Sequence, residues 1–185
     1  MPTSSNSHDR LTNLQQFGAD PGSLHADTYI PKNFPKNGPL VVVLHGSTQS
    51  AEGYDRGSGW STLADESGIA LLYPKQRKTN NPISSFNWFK SGDSRRGGGE
   101  PLSIRHMIKQ VVDDHAIDST RVFVTGMSSG GAMTSVMLAT YPEVFAGGAI
   151  IAGLPYRSAD NLIEAMVRMK GYGGPSDHRL DALVR

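Results

Sequence analysis

The stretch 121–131 constrains the fold of this chain more than any other. It begins with alternating β-branched and aromatic residues that predict a strand, and it closes on Gly126-x-Ser128-x-Gly130. Apolar residues at helical spacing follow. A strand, this turn and a helix, in that order, are typical of a nucleophile elbow, in which a sharp turn lifts a serine above the sheet. The alternative is a small-residue turn with an incidental serine, because the bare motif is frequent by chance. We interpret Ser128 as a catalytic nucleophile.

Length and composition exclude several other kinds of protein. A chain of 185 residues fits one domain with a sizeable core, and its net charge of +1 does not indicate a nucleic-acid partner or a charged membrane surface. The absence of cysteine excludes disulfides, thiolate zinc sites and a cysteine nucleophile. No apolar run approaches the roughly 20 residues of a membrane span. The polar start, 1–10, lacks the apolar core of a signal peptide. As written, the chain is expected to be cytoplasmic, or secreted if a leader was removed.

Buried strands and helices alternate along the chain. Uninterrupted apolar runs such as 40–44 suit central parallel strands that are covered on both faces. The pattern predicts an α/β protein with a doubly wound, mainly parallel sheet. Residues 1–20 are expected to be a polar, flexible N-terminus, 21–185 a single domain, and 155–185 its helical tail. The predicted strands are 27–30, 40–44, 69–73, the strand before the elbow and 144–152; the predicted helices are 60–66, 102–116, the helix after the elbow, and two in the tail near 160–170 and 177–185.

A serine nucleophile needs hydrogen-bond donors for the oxyanion and a base for its proton. One backbone N–H is expected from the residue after the nucleophile, Ser129. The other is expected from the loop that follows the 40–44 strand, where we assign it to Ser47. His45 in that loop is interpreted as a polar anchor, with a role as catalytic base as the alternative.

A long polar loop is predicted over 75–99. Loops of this length inside a compact domain are more often functional than idle. This one carries Phe86, Trp88 and Phe89. Phe86 and Trp88 are candidates for an apolar substrate platform beside the serine, and packing into the core is the alternative.

Six motifs along the chain carry a resemblance to a known family. They are Leu-His-Gly-Ser-Thr-Gln-Ser at 44–50, Gly-Trp-Ser-Thr-Leu-Ala-Asp at 59–65, Phe-Asn-Trp-Phe at 86–89, Arg-Arg-Gly-Gly-Gly-Glu at 95–100, Gly-Met-Ser-Ser-Gly-Gly-Ala-Met at 126–133 and Ala-Thr-Tyr-Pro-Glu-Val-Phe-Ala-Gly at 139–147. Together these motifs resemble the polyhydroxybutyrate depolymerase-type esterases, a family that includes feruloyl and acetylxylan esterases. The resemblance implies an α/β-hydrolase fold and ester hydrolysis through an acyl-enzyme on Ser128, without a cofactor or metal. The substrate it implies is a polyester, an oligomer or an aromatic ester.

Two departures from the family pattern matter. Family members commonly carry paired cysteines at the positions of Ser47 and Ser85, so the resemblance implies that these two serines are neighbours, with α-carbons within about 4.4–6.8 Å. Family chains also continue through two further strands, which deliver the acid and the histidine of the triad. The sheet is therefore expected to be truncated after the 144–152 strand, leaving an apolar edge open to self-association. The acid and the histidine are expected to be missing.

Substitutes for these groups are not expected within the chain, because the remaining histidines and the acids after the serine fall on predicted surfaces. Three functions stay open: a serine esterase, a catalytically impaired fragment or pseudoenzyme that acts as a binding module, and an acyltransferase on the same fold. The residues considered as substitutes are His8, His25, His106, His115, Asp160, Asp177 and His178.

Overall fold

The computed structural model describes residues 10–176, 178–179 and 182. Within these residues there are six strands, five α-helices with described ends, and two short 3₁₀ helices (Ser91–Asp93 and Pro142–Val144). The strands are β1 (Thr12–Asn13), β2 (His25–Tyr29), β3 (Leu40–Leu44), β4 (Ala70–Lys75), β5 (Val122–Met127) and β6 (Gly147–Ile151), and the helices are α1 (Ala51–Ser58), α2 (Trp60–Ser67), α3 (Gly99–His115), α4 (Ser129–Thr140) and α5 (Leu162–Met169).

The strands form one sheet in the order β1-β2-β4-β3-β5-β6. Strands β4, β3, β5 and β6 are parallel, whereas β2 runs antiparallel to β4 and β1 antiparallel to β2. The mainly parallel sheet predicted from the sequence is therefore confirmed. The carboxyl ends of parallel strands meet at one edge, which is where open α/β sheets place their ligand sites. Ser128 follows β5 at this edge.

Helices cover both faces of the central strands. Alternate residues of β3 point to opposite faces: Leu40 and Val42 join the core under α3 and α4, while Val41 and Val43 join the core under α1 and α2. This arrangement is the doubly wound architecture that the alternation of strands and helices predicts. The elbow therefore has helices on both sides of its neighbour β3.

Some boundaries differ from those predicted, for local reasons. Helix α1 was not predicted, because its sequence contains two glycines; its start is capped by the Ser50 side chain, which accepts from the N–H of Gly53. Strand β4 continues through Pro74, because its ladder with β3 has ended at Leu72 and only β2 pairs with it further on. Helix α3 begins three residues early, since proline is tolerated in a first turn.

Both chain ends bear on the predicted domain limits. Residues 10–20 were assigned to a flexible N-terminus, yet β1 pairs with β2, and the Arg10 side chain hydrogen-bonds Ser61, Tyr29 and Asp65. The first tail helix appears as α5, and most of the predicted helix over 177–185 lies outside the described residues. No helix within the described part of the chain has the length and hydropathy to cross a bilayer.

Candidate active site

Ser128 occupies the sharp turn between β5 and α4. Its φ of 56° and ψ of −117° are unusual for a residue with a side chain and cost about 1–3 kcal/mol. Neighbouring backbone holds the turn: the Ser128 N–H donates to the Ile151 carbonyl at 3.0 Å, and the Ser128 carbonyl accepts from the Ala132 N–H at 2.9 Å. The geometry is that of the elbow predicted from the sequence. The nucleophilic role of the half-buried serine stays a prediction.

The two glycines of the motif allow the close backbone contacts that the turn requires. A Cβ atom on Gly130 would lie 2.1 Å from the Leu44 carbonyl oxygen, and one on Gly126 would lie 2.4 Å from the Gly130 carbonyl oxygen. Real Cβ atoms do not approach backbone oxygen so closely. Helix α4 can therefore start against the end of β3 only if both positions lack a side chain.

The loop 45–49, which we call the oxyanion loop, follows β3 directly and lies beside Ser128. A Cβ atom on Gly46 would be 3.5 Å from the Ser128 Cβ. On the other side of the serine, the Ser129 N–H belongs to the first turn of α4, where backbone donors lack intrahelical acceptors and the helix dipole is positive. The structure thus places Ser129 directly after Ser128 and the loop that contains Ser47 beside it, while the roles assigned to Ser47 and Ser129 stay predictions.

His45 acts as an anchor rather than a base. Its ring is buried, Nε2 accepts from the Gln76 N–H at 3.2 Å, and Nδ1 lies 2.8 Å from the Gly46 carbonyl oxygen. These partners assign the proton to Nδ1. Burial lowers the pKa of His45, which favours the neutral ring. The anchoring interpretation is confirmed, and the alternative, a catalytic base, is wrong because both nitrogens are already engaged.

The proposed aromatic platform is wrong for this structure. The side chains of Phe86 and Trp88 are only 0% and 2% exposed, and both belong to the main hydrophobic core. Phe86 packs against the His45 ring with centroids 4.9 Å apart, and Trp88 meets Phe89 edge to face at 5.6 Å. Aromatic rings stabilise a fold most when their large apolar surface is removed from water. The alternative, packing into the core, is therefore confirmed.

The loops that carry Ser47 and Ser85 lie against each other. The Thr48 N–H donates to the Ile83 carbonyl oxygen at 2.7 Å. This bond joins the two segments that the family resemblance pairs. The predicted α-carbon separation of Ser47 and Ser85 stays a prediction that this contact supports.

The other candidate acids and bases lie elsewhere. His25 is exposed on β2, and His106 contacts the Ala19 carbonyl oxygen. His115 is the last residue of α3. Exposed Asp160 is paired with Arg179, 3.9 Å away. His178 is exposed, and both His8 and Asp177 lie outside the described residues.

A buried polar cluster beside the oxyanion loop escaped the sequence reasoning. Glu100 is 0% exposed and accepts hydrogen bonds from Gln76 and Asn87. Burial, helped by nearby Asp93, raises the pKa of Glu100 to about 8. A signal was available: a glutamate closes the Arg-Arg-Gly-Gly-Gly-Glu motif, immediately ahead of the apolar stripe of α3.

Comparison with known proteins points in one direction. A sequence profile of the family described as Esterase PHB depolymerase matches residues 25–184. Poly(3-hydroxyalkanoate) depolymerase C of Paucimonas lemoignei is 47% identical over 169 residues, which are 91% of this chain and 41% of that protein. Feruloyl esterase B of Talaromyces stipitatus is 36% identical over 146 residues, 79% of this chain and 40% of that protein.

A solved structure supports the same conclusion for the fold. The acetyl xylan esterase from Aspergillus awamori superposes with a TM-score of 0.77 at 31% identity, over 83% of this chain and 56% of that one. This match confirms the α/β-hydrolase type of sheet predicted from the sequence. The chain spans about two fifths of the length of the curated relatives it matches.

Proposed function

Because the chain belongs to the PHB depolymerase family of esterases, we propose that it carries the serine and the oxyanion site of a carboxylic-ester hydrolase. One observation carries the proposal: Ser128 stands on a strained turn between the oxyanion loop and the amino end of α4. Strain of this kind persists only where the surrounding structure imposes it, and it is concentrated at active sites.

The proposed chemistry is acyl transfer through the serine. The Ser128 Oγ attacks the ester carbonyl, the carbonyl oxygen becomes an oxyanion, and the backbone N–H groups of Ser47 and Ser129 donate to it. Collapse of this intermediate releases the alcohol and leaves an acyl-enzyme, which water then cleaves. Both halves of the reaction require a base to accept a proton and later return it.

We expect turnover by this chain alone to be slow. Both ring nitrogens of His45 are engaged, one with Gly46 and the other with Gln76, and none of the other histidines that the structure describes follows a strand beside β5. Without its base, a serine hydrolase retains only the roughly 10³–10⁴-fold acceleration that binding and oxyanion donors supply. The triad acid and histidine are therefore proposed to be absent from this chain.

A fluorophosphonate probe tests the nucleophile, and a turnover assay tests the base. We expect mass spectrometry to place a slowly formed adduct on Ser128, and hydrolysis of p-nitrophenyl butyrate to stay close to that of Ser128→Ala. An adduct on Ser129 or Ser135 would refute the assignment. Rates near those of ordinary esterases, abolished by Ser128→Ala, would show that the chain contains a base. Absence of both labelling and turnover would favour the binding-module alternative, and added alcohols that accept the acyl group would favour the acyltransferase.

The first esters to test follow from the relatives. The depolymerase named for poly(3-hydroxyalkanoate) is 47% identical, compared with 36% for the feruloyl esterase. Esters of 3-hydroxyalkanoates are therefore the proposed substrates, with feruloyl and acetyl esters as the comparison.

A second copy of the chain is the proposed partner of the open sheet edge. Strand β6 pairs only with β5 within the described residues, and its sequence Gly-Gly-Ala-Ile-Ile carries no charge. Ile150 and Ile151 are about half exposed there. An apolar edge strand offers unpaired backbone groups to another strand, so we propose self-association through β6.

A further inference from the structure

The Glu100 carboxyl group is the centre of a hydrogen-bonded cluster that the chemistry above does not use. Its Oε1 accepts from the Gln76 side-chain amide at 2.5 Å and from the Asn87 side-chain amide at 2.8 Å. Its Oε2 accepts from the Asn87 backbone N–H at 3.0 Å. All three residues are buried, so each of these bonds forms away from water and its loss would leave an unpaired polar group.

One arm of the cluster runs through Gln76 to the start of the oxyanion loop. The Gln76 side chain is fully bonded: its nitrogen donates to Glu100 and to the Ser85 carbonyl, and its oxygen accepts from Arg77 and Asn80. The backbone N–H of the same residue donates to His45 Nε2. His45 Nδ1 in turn donates to the Gly46 carbonyl oxygen.

The other arm runs through Asn87 to the end of the same loop. The Asn87 side-chain oxygen accepts from Asn81 at 3.1 Å, and the Asn81 side-chain oxygen accepts from the Ile83 N–H at 3.2 Å. The Ile83 carbonyl oxygen then accepts from the Thr48 N–H at 2.7 Å. This arm therefore reaches the oxyanion loop at Thr48, three residues after His45, where the first arm reaches it.

The two arms bracket the peptide that carries the proposed oxyanion donor. In a trans peptide the carbonyl and the following N–H point in opposite directions within one plane. The peptide bonds of the described residues are all trans, so the bond from His45 to the Gly46 carbonyl oxygen also sets the direction of the Ser47 N–H. The bond from Thr48 to Ile83 fixes the residue that follows. Hydrogen bonds on both sides of the Ser47 N–H are therefore connected to Glu100, through Gln76 on one side and through Asn87, Asn81 and Ile83 on the other.

We propose that Glu100 is a positioning residue for ester hydrolysis: its buried carboxyl group, acting through Gln76 and Asn87, holds the oxyanion loop so that the Ser47 N–H faces Ser128. The proposal rests on the proposed function for the role of Ser47. A carboxyl group suits the position because it can accept from three N–H groups on two oxygens, whereas an amide offers one oxygen and a competing donor.

The test is NMR on the full 185-residue chain. The readings are the protonated nitrogen of the His45 ring and the hydrogen exchange of the Ser47 and Thr48 amides. Glu100→Gln places an NH₂ group against at least one of the three N–H donors. We expect exchange of the Thr48 amide to become at least about tenfold faster and the His45 ring to change from one tautomer, protonated on Nδ1, to a mixture of both. Gln76→Met breaks one arm only and should disturb His45 more than Thr48.

Asp55→Asn is the matched control. Asp55 is also a buried carboxyl group with three hydrogen bonds, from the Ser61 N–H, the Ser61 hydroxyl and the Tyr73 hydroxyl, but it belongs to α1, on the other face of the sheet from α3. This substitution should lower the melting temperature while the signals of His45, Ser47 and Thr48 stay as in the unsubstituted chain. A general loss of stability would move the melting temperature in all three variants without this selectivity.

The phosphonate probe supplies a second reading. Loss of an oxyanion donor costs about 10²–10³-fold in rate, so a displaced donor in Glu100→Gln should slow labelling of Ser128 by about tenfold or more. If Glu100→Gln does not fold, Gln76→Met decides. The proposal is overturned if His45 stays protonated on Nδ1 in the folded variants and their Ser47 and Thr48 amides exchange at the rates of the unsubstituted chain. Failure of the unsubstituted chain to label would refute the proposed function, yet the NMR readings would still decide whether Glu100 positions the loop.

Discussion

The inner and outer halves of the parallel sheet differ sharply in their cover. Strands β3 and β4 are buried on both faces, under α3 and α4 on one side and α1 and α2 on the other. On β6, by contrast, Ile151 is 49% exposed, and Phe123 of β5 is 36% exposed on the same face. The two halves meet at β5, the strand that leads into Ser128.

This difference divides the site into two parts with different support. The oxyanion loop follows β3, and it is held by a buried hydrogen bond from Gln76 to His45 and by a bond from Thr48 to Ile83 at the surface. The Ser128 N–H, however, donates to Ile151, a residue of the exposed edge strand. Ser47 is therefore held by the covered half, whereas the nucleophile depends partly on the exposed half.

The largest expected contrast is between two glycines. Gly130→Ala puts a Cβ atom 2.1 Å from the Leu44 carbonyl oxygen, so the start of α4 must move away from β3. We expect a loss above about 4 kcal/mol in the free energy of unfolding, or no cooperative fold. Gly147→Ala on β6 meets only the Phe123 ring at 3.8 Å and should change stability by less than about 0.5 kcal/mol. Urea unfolding measures both, and equal losses would show that the exposed half is packed as tightly as the covered half.

An intermediate effect should appear when pH is varied. The pKa of Glu100 is raised to about 8 from its ordinary 4.5, so the stability linked to its proton is complete below about 4.5 and is lost as pH rises towards 8. The lowered pKa of His45 acts in the opposite direction, but only below about 6.5. The raised pKa of Asp93, like that of Glu100, makes the free energy of unfolding fall as pH rises.

Between pH 6.5 and 8 we therefore expect the free energy of unfolding to fall, by at most about 1.4 kcal/mol per pH unit. In Glu100→Gln the slope should be nearly absent across the same range. Urea titrations at several pH values measure the slope for each protein. The same slope in both would mean that another group titrates there.

The smallest effect on stability, with a clear effect on association, is expected from a charge at the edge. Ile151→Lys places an ammonium group on β6 and should shift the chain towards monomer in sedimentation experiments, with little change in unfolding. Ile163→Lys is the matched control, since Ile163 is also an exposed isoleucine (77%), but on α5. If only Ile163→Lys dissociates the assembly, the contact is made by α5, and if neither does, β6 is not an interface.

Local patterns predicted the elements around the serine closely. The strand-turn-helix order predicted β5, Ser128 and α4, and a run of apolar residues predicted β3, because both signals depend only on neighbours in the chain. The prediction missed α1, whose glycines weaken the helical pattern, and the antiparallel pairing of β2. Pairing partners lie far apart in sequence, so no local pattern reports them.

The sequence by itself determined the identity of the nucleophile candidate, the loop expected to face it and the α/β order of the chain, since these follow from residue types and spacing. Only the tertiary structure decided that Phe86 and Trp88 lie in the core, that His45 is engaged through both nitrogens, and that Glu100 connects Gln76 to Asn87. The physical reason is that burial and hydrogen-bond partners depend on contacts between segments distant in the chain. A polar loop with aromatic residues has the same sequence pattern whether its rings face the solvent or the core. Only the packing of the sheet and helices determines where the rings lie.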